Sequence, residues 1–428
     1  MNANELIRAL DEGRMDERLI RLYGKDAIPS HKLRYKKAIE AFVARYGDGS
    51  LVLFSVPGRT EVSGNHTDHN HGRVIAAAVD PDVIAVVRRR EDGVIRIKSE
   101  GFDEDEVAIL PTPAPNPSEY FTSRALIAGV AAGMSRRGYA VCGFDAYTTS
   151  NVRKGSGISS SAAFEVLVGK ILSVLACNDS VSHPELSRIA KEAENLYFGK
   201  PSGLMDQTAC AVGAFITIDF ADPENAVIEQ IPFDLEQAGY ALCVTYTGGN
   251  HADLNDDYAA IPAEMKAVAE QFSLPVLRGL SKEALIGAMP DLREKVGDRA
   301  ILRALHYLNE NERVERQVDA LRAGDMHAFL CGVRASGDSS YKYLQNVFTV
   351  TNVSEQGISL ALALSEELLG DSESAWRVHG GGFAGTVQAF VPLSLTEAYR
   401  AGMNAVFGQD ACSVLRIRPE GAAVVWGL

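Results

Sequence analysis

The segment GNHTDHNHG, residues 64–72, places three histidines and one aspartate within nine residues. His66, Asp68, His69 and His71 carry side chains that ligate metal ions, and the same groups also donate and accept hydrogen bonds with hydroxyl groups. The nearby Arg59 argues against a metal, because a guanidinium repels a metal cation. From these residues alone, a metal site, a polar binding segment and an exposed polar turn are all open.

The segment KGSGISSSAA, residues 154–163, is typical of a phosphate-binding loop. Glycines let backbone N–H groups converge on an anion, and the following helix begins with unpaired N–H groups and a positive dipole end. The loop is neither a Walker A motif nor a Rossmann turn, and a capped helix without a ligand is the alternative. The predicted phosphate-binding residues are Gly155, Ser156, Gly157, Ile158, Ser159, Ser160 and Ser161, and the family resemblance described below makes the expected ligand ATP. A phosphate loop indicates phosphoryl transfer, which weakens the metal interpretation of residues 64–72.

A second glycine-rich segment is RVHGGGFAGTVQAF, residues 377–390, in which four glycines fall within six residues. The flanking stretches alternate apolar and polar residues and are predicted to be strands. Glycines between them leave room for a ligand or for a second backbone. A tight turn without a ligand explains the segment equally well when it is considered alone.

The remaining pattern predicts strands and helices that interleave without a strict alternation, which favours an α+β fold with two lobes. Residues 51–56, 74–79 and 82–90 are predicted strands, and the last is expected to return as a hairpin through Asp92-Gly93. Residues 120–138 and 183–199 are predicted helices. A domain boundary is expected near residues 210–215.

Composition excludes several classes of function. A net charge of −14 argues against nucleic-acid binding, which needs a basic surface. No run approaches the roughly 20 apolar residues of a membrane span, and a membrane partner is not expected. Six cysteines without a C-x-x-C pair in 428 residues indicate free thiols in a reducing compartment, and therefore a cytoplasmic location.

Four segments together resemble the galactokinases of the GHMP small-molecule kinase superfamily, and they occur in the family's order. They are PGRTEVSGNHTDHNHG, GSGISSSAA, ENLYFGKPSGLMDQ and VHGGGFAG, with NHADLNDDY (250–258) as a weaker fifth match. The resemblance implies a two-lobed GHMP kinase architecture, with an N-terminal mixed-sheet lobe and a C-terminal ferredoxin-like lobe. The predicted division is 1–212 and 213–428.

The resemblance also implies an ATP-dependent sugar 1-kinase, which converts galactose and ATP to galactose 1-phosphate and ADP. Asp206 and Arg59 would then be catalytic, and Mg²⁺ would be held by Ser161 and Glu194. The implied substrate-binding residues are Arg59, Asn65, His66, Asp68, Gly203, Asp206 and Tyr258. The polar side chains of residues 64–72 are therefore expected to hold sugar hydroxyls.

The match departs from the galactokinase pattern in and just before residues 64–72, which are called the sugar segment below. Asn65 stands where that family carries glutamate, His69 where it carries tyrosine, and Glu61-Val62-Ser63 where it carries Asn-Leu-Ile. A neutral Asn65 would remove a like-charge penalty against a sugar with a C6 carboxylate. A kinase of a related sugar, such as galacturonate or arabinose, is therefore an alternative, and an inactive sugar- and ATP-binding sensor is another.

Overall fold

The fold is described here from a computed structural model. It covers residues 1–109, 112–152, 157–249, 254–370 and 372–427. Two of the predicted ATP-binding residues, Gly155 and Ser156, lie outside the described residues, as does the first part of the weaker match at 250–253.

Helices make up much of the described chain, and most of them carry one buried face. Two short π-helical turns, Glu194–Phe198 and Ser340–Leu344, extend α6 and α11. The helices are α1 (Ala3–Asp11), α2 (Asp16–Tyr23), α3 (Ile28–Tyr46), α4 (Ser123–Arg136), α5 (Ser160–Cys177), α6 (His183–Ala193), α7 (Met205–Val212), α8 (Asn255–Gln271), α9 (Lys282–Lys295), α10 (Asp298–Ala323), α11 (Met326–Ser339), α12 (Gly357–Leu369) and α13 (Thr396–Phe407).

The strands of the described ranges form two sheets, one of eight strands and one of four. The strands are β1 (Val52–Ser63), β2 (Arg73–Arg90), β3 (Val94–Ser99), β4 (Glu104–Ala108), β5 (Gly143–Ser150), β6 (Phe215–Asp219), β7 (Val227–Ile231), β8 (Tyr240–Tyr246), β9 (Ala375–His379), β10 (Thr386–Pro392), β11 (Cys412–Leu415) and β12 (Ala423–Trp426).

The large sheet has the order β12-β1-β2-β5-β3-β4, and β6 and β7 extend it from β2. The two strands predicted at 74–79 and 82–90 are one long strand, β2, because β1 pairs with both halves. The predicted hairpin through Asp92-Gly93 is wrong. β5 lies between β2 and β3, antiparallel to the first and parallel to the second. The turn dipeptide reverses the chain, but the sequence-adjacent strands do not pair.

The small sheet has the order β11-β8-β10-β9 and is antiparallel throughout. In chain order its elements read strand, helices, strand, strand, helix, strand, which is the ferredoxin-like arrangement. Helices α12 and α13 pack against each other and against this sheet. The predicted α+β class with a mixed-sheet lobe and a ferredoxin-like lobe is confirmed.

The division of the chain at residue 212 stays a prediction. β6 and β7 follow that residue and still pair within the large sheet, and β12, near the end of the chain, pairs with β1. The chain therefore returns to the first sheet after it has built the second one.

Helix α5 lies in the core of the N-terminal lobe and carries the serine run at its start. It is the one helix of the described ranges that is long and apolar enough, by length and composition alone, to cross a membrane. Two thirds of it, 67%, is buried within the protein, where it packs against β1, α6 and α7. That burial is typical of the core helix of a globular domain.

Candidate active site

Arg59 on β1 and Asp206 at the start of α7 form a two-point ion pair. The Arg59 Nε donates to Asp206 Oδ1 at 2.7 Å, and its Nη2 donates to Oδ2 at 2.6 Å. The Nη1 of the same guanidinium donates to the carbonyl oxygen of Gly157. Such a planar fork fixes both partners. The sequence-predicted catalytic pair is therefore brought together directly under the glycine-serine loop.

The charge of Asp206 is maintained by this pair. Burial alone would raise the pKa of its carboxyl, but the Arg59 guanidinium and hydrogen bonds from Arg59 and Ser159 outweigh it and lower the pKa. The same carboxylate raises the pKa of Arg59. Asp206 is thus ionised at neutral pH and able to accept a hydrogen bond from a hydroxyl group.

The described part of the glycine-serine loop meets this pair from the other side. Gly157 has φ +74°, and a Cβ there would lie 2.6 Å from the Thr386 hydroxyl of the second glycine-rich segment. Ser159, before the first turn of α5, also has a left-handed backbone, which is unusual for a residue with a side chain. Its hydroxyl donates to Asp206 Oδ2 at 2.7 Å. A residue predicted to bind ATP therefore also contacts the predicted catalytic carboxylate.

Ser161 and Glu194, the predicted magnesium ligands, lie next to each other. The Ser161 hydroxyl donates to Glu194 Oε1 at 3.2 Å. Glu194 begins the π-helical turn that follows α6, and its side chain is 2% exposed. Single π-helical turns of this kind are frequent at functional sites. One carboxylate and one hydroxyl are hard oxygen donors of the kind that Mg²⁺ prefers.

Three further side chains surround Glu194, and none of them was singled out from the sequence. Lys200 Nζ lies 2.8 Å from Glu194 Oε1, and Gln207 Nε2 donates to Glu194 Oε2 at 2.8 Å. Gln207 Nε2 also reaches Glu165 Oε2 at 3.2 Å. Burial and the neighbouring Glu194 carboxylate raise the pKa of Glu165 well above its ordinary value. The sequence signal for Lys200 and Gln207 was their position inside the third matched segment.

Asp68 and Gly203 approach each other across the site. A Cβ on Gly203 would overlap Asp68 Oδ2, so a side chain there would push that carboxylate out of its present position. Burial by itself would raise the pKa of Asp68, but hydrogen bonding and charge from His69 lower it to about 2. A charged acceptor therefore faces the backbone that leads to Asp206, three residues farther on.

His66 is neutral and is oriented by the second glycine-rich segment. Burial and the neighbouring His69 lower its pKa to about 4. Its Nε2 lies 2.9 Å from the carbonyl oxygen of Gly381, so Nε2 must be the donor and Nδ1 is left as the acceptor. The two histidines lie edge to face, with ring centroids 5.8 Å apart.

Asn65 is 1% exposed, and its amide is engaged by the protein. Its Nδ2 donates to Glu61 Oε1 and to the Gly380 carbonyl, both at 2.7 Å, and its Oδ1 accepts from Asn346 Nδ2 at 2.7 Å. Burial raises the pKa of Glu61 to about 7, against the lowering effect of Arg377. The Asn65 side chain is therefore held by the protein on all its polar atoms, with the Glu61 carboxyl four residues earlier as one of its partners.

Tyr258, at the start of α8, packs on the same glycine-rich turn. Its hydroxyl donates to the Gly382 carbonyl at 2.9 Å, and its ring lies edge to face with Phe383 at 5.4 Å. Burial raises its pKa to about 12. Its role as a substrate-binding residue stays a prediction, since its visible contacts position the turn.

Helix α10 holds the sugar segment from behind, which the sequence did not reveal. His306 Nε2 lies 2.9 Å from the Asn65 carbonyl, the Tyr307 hydroxyl donates to the Asn70 carbonyl at 2.9 Å, and Glu310 accepts from the Gly64 N–H at 2.9 Å. These contacts join residues about 240 positions apart, so no local pattern could have indicated them.

Two family models match the chain. Residues 125–214 match the GHMP kinases N terminal domain, and residues 40–89 match the galactokinase galactose-binding signature.

Several curated relatives and solved structures are similar over most of their length. The galactokinase of Streptomyces coelicolor is 32% identical over 88% of this chain and 94% of its own, and that of Glaesserella parasuis is 29% identical over 84% and 90%. The structure of Lactococcus lactis galactokinase complexed with galactose matches with TM-score 0.76 at 24% identity, over 91% of this chain and 99% of its own. Methanococcus jannaschii mevalonate kinase matches with TM-score 0.60 at 13% identity, over 86% of this chain and 99% of its own.

Proposed function

This chain belongs to the galactokinase family, and from that premise we propose that it transfers the terminal phosphoryl group of ATP to the anomeric hydroxyl of galactose. The observation that carries the proposal is the largely buried Arg59–Asp206 pair, which Gly157 and Ser159 of the glycine-serine loop contact directly. A phosphate on that loop would lie beside a carboxylate that can accept a sugar hydroxyl. The products are galactose 1-phosphate and ADP.

In the proposed reaction Asp206 accepts the hydrogen bond of the anomeric hydroxyl and holds its oxygen in line with the terminal phosphorus. The new O–P bond forms as the bond between that phosphorus and the ADP oxygen breaks. A carboxylate with a lowered pKa is a weak base, so orientation is its first role and the proton moves to it as the O–P bond forms. Arg59 keeps the carboxylate ionised and adds positive charge where the phosphoryl group passes.

Ser161 and Glu194 fit the role of magnesium ligands, because both present oxygen atoms beside the start of α5. A bound Mg²⁺ would neutralise charge on the ATP phosphates. In the part of the chain that the structure describes, no group of three or more histidine, cysteine, aspartate or glutamate side chains is placed to hold a metal ion. A site with two protein ligands completed by phosphates and water is ordinary for this ion.

The sugar is proposed to lie between Asp68, the backbone at Gly203 and Asp206. Asp68 and His66 would accept hydrogen bonds from ring hydroxyls, through a carboxylate and an imidazole Nδ1. The Glu61 carboxyl beside Asn65 is buried and has its pKa raised to about 7, so its charge would do little to repel a C6 acid. The Asn65 side chain donates to Glu61 and Gly380 and accepts from Asn346, which leaves no amide N–H for a C6 carboxylate. Galactose is therefore the proposed substrate, which the match of residues 40–89 to the galactose-binding signature supports. A cytoplasmic location is proposed with it, in keeping with six free cysteines.

A sugar panel tests the proposed function. ADP release would be measured with galactose, galacturonate, arabinose, N-acetylgalactosamine and glucose, with Asp206→Asn as the matched control for the same fold. The proposal predicts the highest kcat/KM for galactose and almost no turnover in the variant. A higher kcat/KM for galacturonate than for galactose would make galacturonate the substrate. A turnover in Asp206→Asn equal to that of wild type would show that Asp206 is not part of the transfer site.

A further inference from the structure

Lys200 lies at the proposed transfer site, in contact with a proposed magnesium ligand. It belongs to the loop between the π-turn Glu194–Phe198 and α7, six residues before Asp206. Its Nζ is 2.8 Å from Glu194 Oε1, the same oxygen that accepts the Ser161 hydroxyl. The ammonium therefore contacts the atom that would bind magnesium.

The carboxylates around Lys200 keep its ammonium charged. Burial alone would lower the pKa of Lys200, but the carboxylates of Glu194, Asp206 and Glu165 raise it. The positive charge of Lys200 in turn helps to lower the pKa of Asp206. Lys200 is thus a cation in direct contact with the proposed metal ligand Glu194.

Lys200 and Arg59 differ in their freedom to move. Three nitrogens of Arg59 are bound, two by Asp206 and one by the Gly157 carbonyl, and its side chain is 10% exposed. Lys200 makes one ion pair, to a carboxylate that a divalent cation would also take, and its side chain is 52% exposed. A monovalent ammonium is repelled by a divalent ion on the same oxygen. A flexible four-carbon chain then lets it move to the nearest anion.

We propose that Lys200 is a further catalytic residue, whose ammonium moves from Glu194 to the terminal phosphate of ATP when Mg²⁺ takes the Glu194 carboxylate. The proposal rests on the phosphoryl-transfer function above. In that position Lys200 compensates the negative charge of the transferring group opposite Arg59, as positioned cations do in other phosphoryl-transfer sites.

The test compares nucleotides that differ in the terminal phosphate. Wild type, Lys200→Met and the distal surface control Lys295→Met would be titrated by calorimetry with ADP and with a non-hydrolysable ATP analogue, both in saturating Mg²⁺ and without sugar. Lys200→Met should bind the analogue about 10- to 100-fold more weakly, the range for a hydrogen bond between charged groups, and should bind ADP as wild type does. Its kcat should fall about 100-fold, while the KM for the sugar stays unchanged. Lys295→Met should match wild type.

Lys200→Arg keeps the charge and should recover most of the preference for the analogue over ADP, which separates the lost charge from a misfolded loop. Equal weakening for ADP and the analogue would overturn the proposal. So would a variant that only needs more Mg²⁺ for half-maximal activity, because Lys200 would then only position Glu194. The binding arm does not depend on the sugar, so a wrong assignment of the phosphoryl acceptor would leave that result intact.

Discussion

The Arg59–Asp206 pair allows a double-mutant test whose outcome follows from the geometry. Arg59→Met removes both hydrogen bonds to a carboxylate that is 27% exposed, and leaves that charge with the Ser159 hydroxyl as a direct donor. Removing one partner of a buried pair costs roughly 3 to 5 kcal/mol. The partial exposure of Asp206 places the expected loss of unfolding free energy at the lower end, about 3 kcal/mol.

The catalytic loss should be shared by the two residues. Arg59→Met and Asp206→Asn should each lower kcat by about 10³-fold, within the range for removing a positioned acid-base or electrostatic group. The double variant should lose about the same amount, because residues that act as a unit are not additive. It should also be more stable than Arg59→Met, since no unpaired charge remains. The assays are steady-state ADP release and urea unfolding. Losses that multiply to about 10⁶-fold in the double variant would show that the residues act separately.

Three more predictions concern the sugar segment and its support. Gly203→Ala places a Cβ 2.4 Å from Asp68 Oδ2 and should raise the KM for the sugar roughly 10- to 100-fold, with the KM for ATP as the internal control; an unchanged sugar KM would remove Asp68 from the site. Asn65→Glu replaces the amide that donates to Glu61 by a second carboxyl group and should lower stability and the activity on every sugar. The exchange variant Glu61→Asn with Asn65→Glu restores one amide and one carboxyl group and should recover both properties. A double variant as unstable and inactive as the single one would show that the two residues do not act as a pair. Burial and nearby cations lower the pKa of His379 from 6.5 to about 3 in the folded protein. As the pH falls, the unfolded chain therefore takes up the proton first, and about 2 kcal/mol of unfolding free energy should be lost between pH 7.5 and pH 5. His379→Gln should show a correspondingly flatter dependence of unfolding free energy on pH in urea unfolding, and a slope equal to that of wild type would contradict the assignment.

The family resemblance of the ordered segments, and not the physical pattern of any single residue, indicated the centre of the site. Arg59, Ser161, Glu194 and Asp206 were predicted in that way, and the structure brings them together as two neighbouring contacts, Arg59–Asp206 and Ser161–Glu194. The α+β class followed from apolar periodicity, which depends on neighbouring residues. The Asp92-Gly93 turn was also local, but strand pairing is not, and β5 enters from 50 residues farther along the chain.

The support of the site could not be predicted in the same way. Asn65 looks like a ligand-facing residue in its motif, and only the positions of Glu61, Gly380 and Asn346 show that its amide is engaged. Helix α10 contacts the sugar segment through residues about 240 positions away. Such contacts depend on tertiary packing, which a single sequence does not encode as a repeating pattern.

The most direct measurement is ³¹P NMR of the reaction of the purified protein with galactose, ATP and Mg²⁺. The proposed function predicts that the terminal ATP resonance is replaced by those of ADP and of a sugar phosphate coupled to the anomeric proton, and that neither forms with Asp206→Asn. A product phosphorylated at another hydroxyl would contradict the proposed position of the sugar. Release of inorganic phosphate alone would contradict the proposed transfer to galactose.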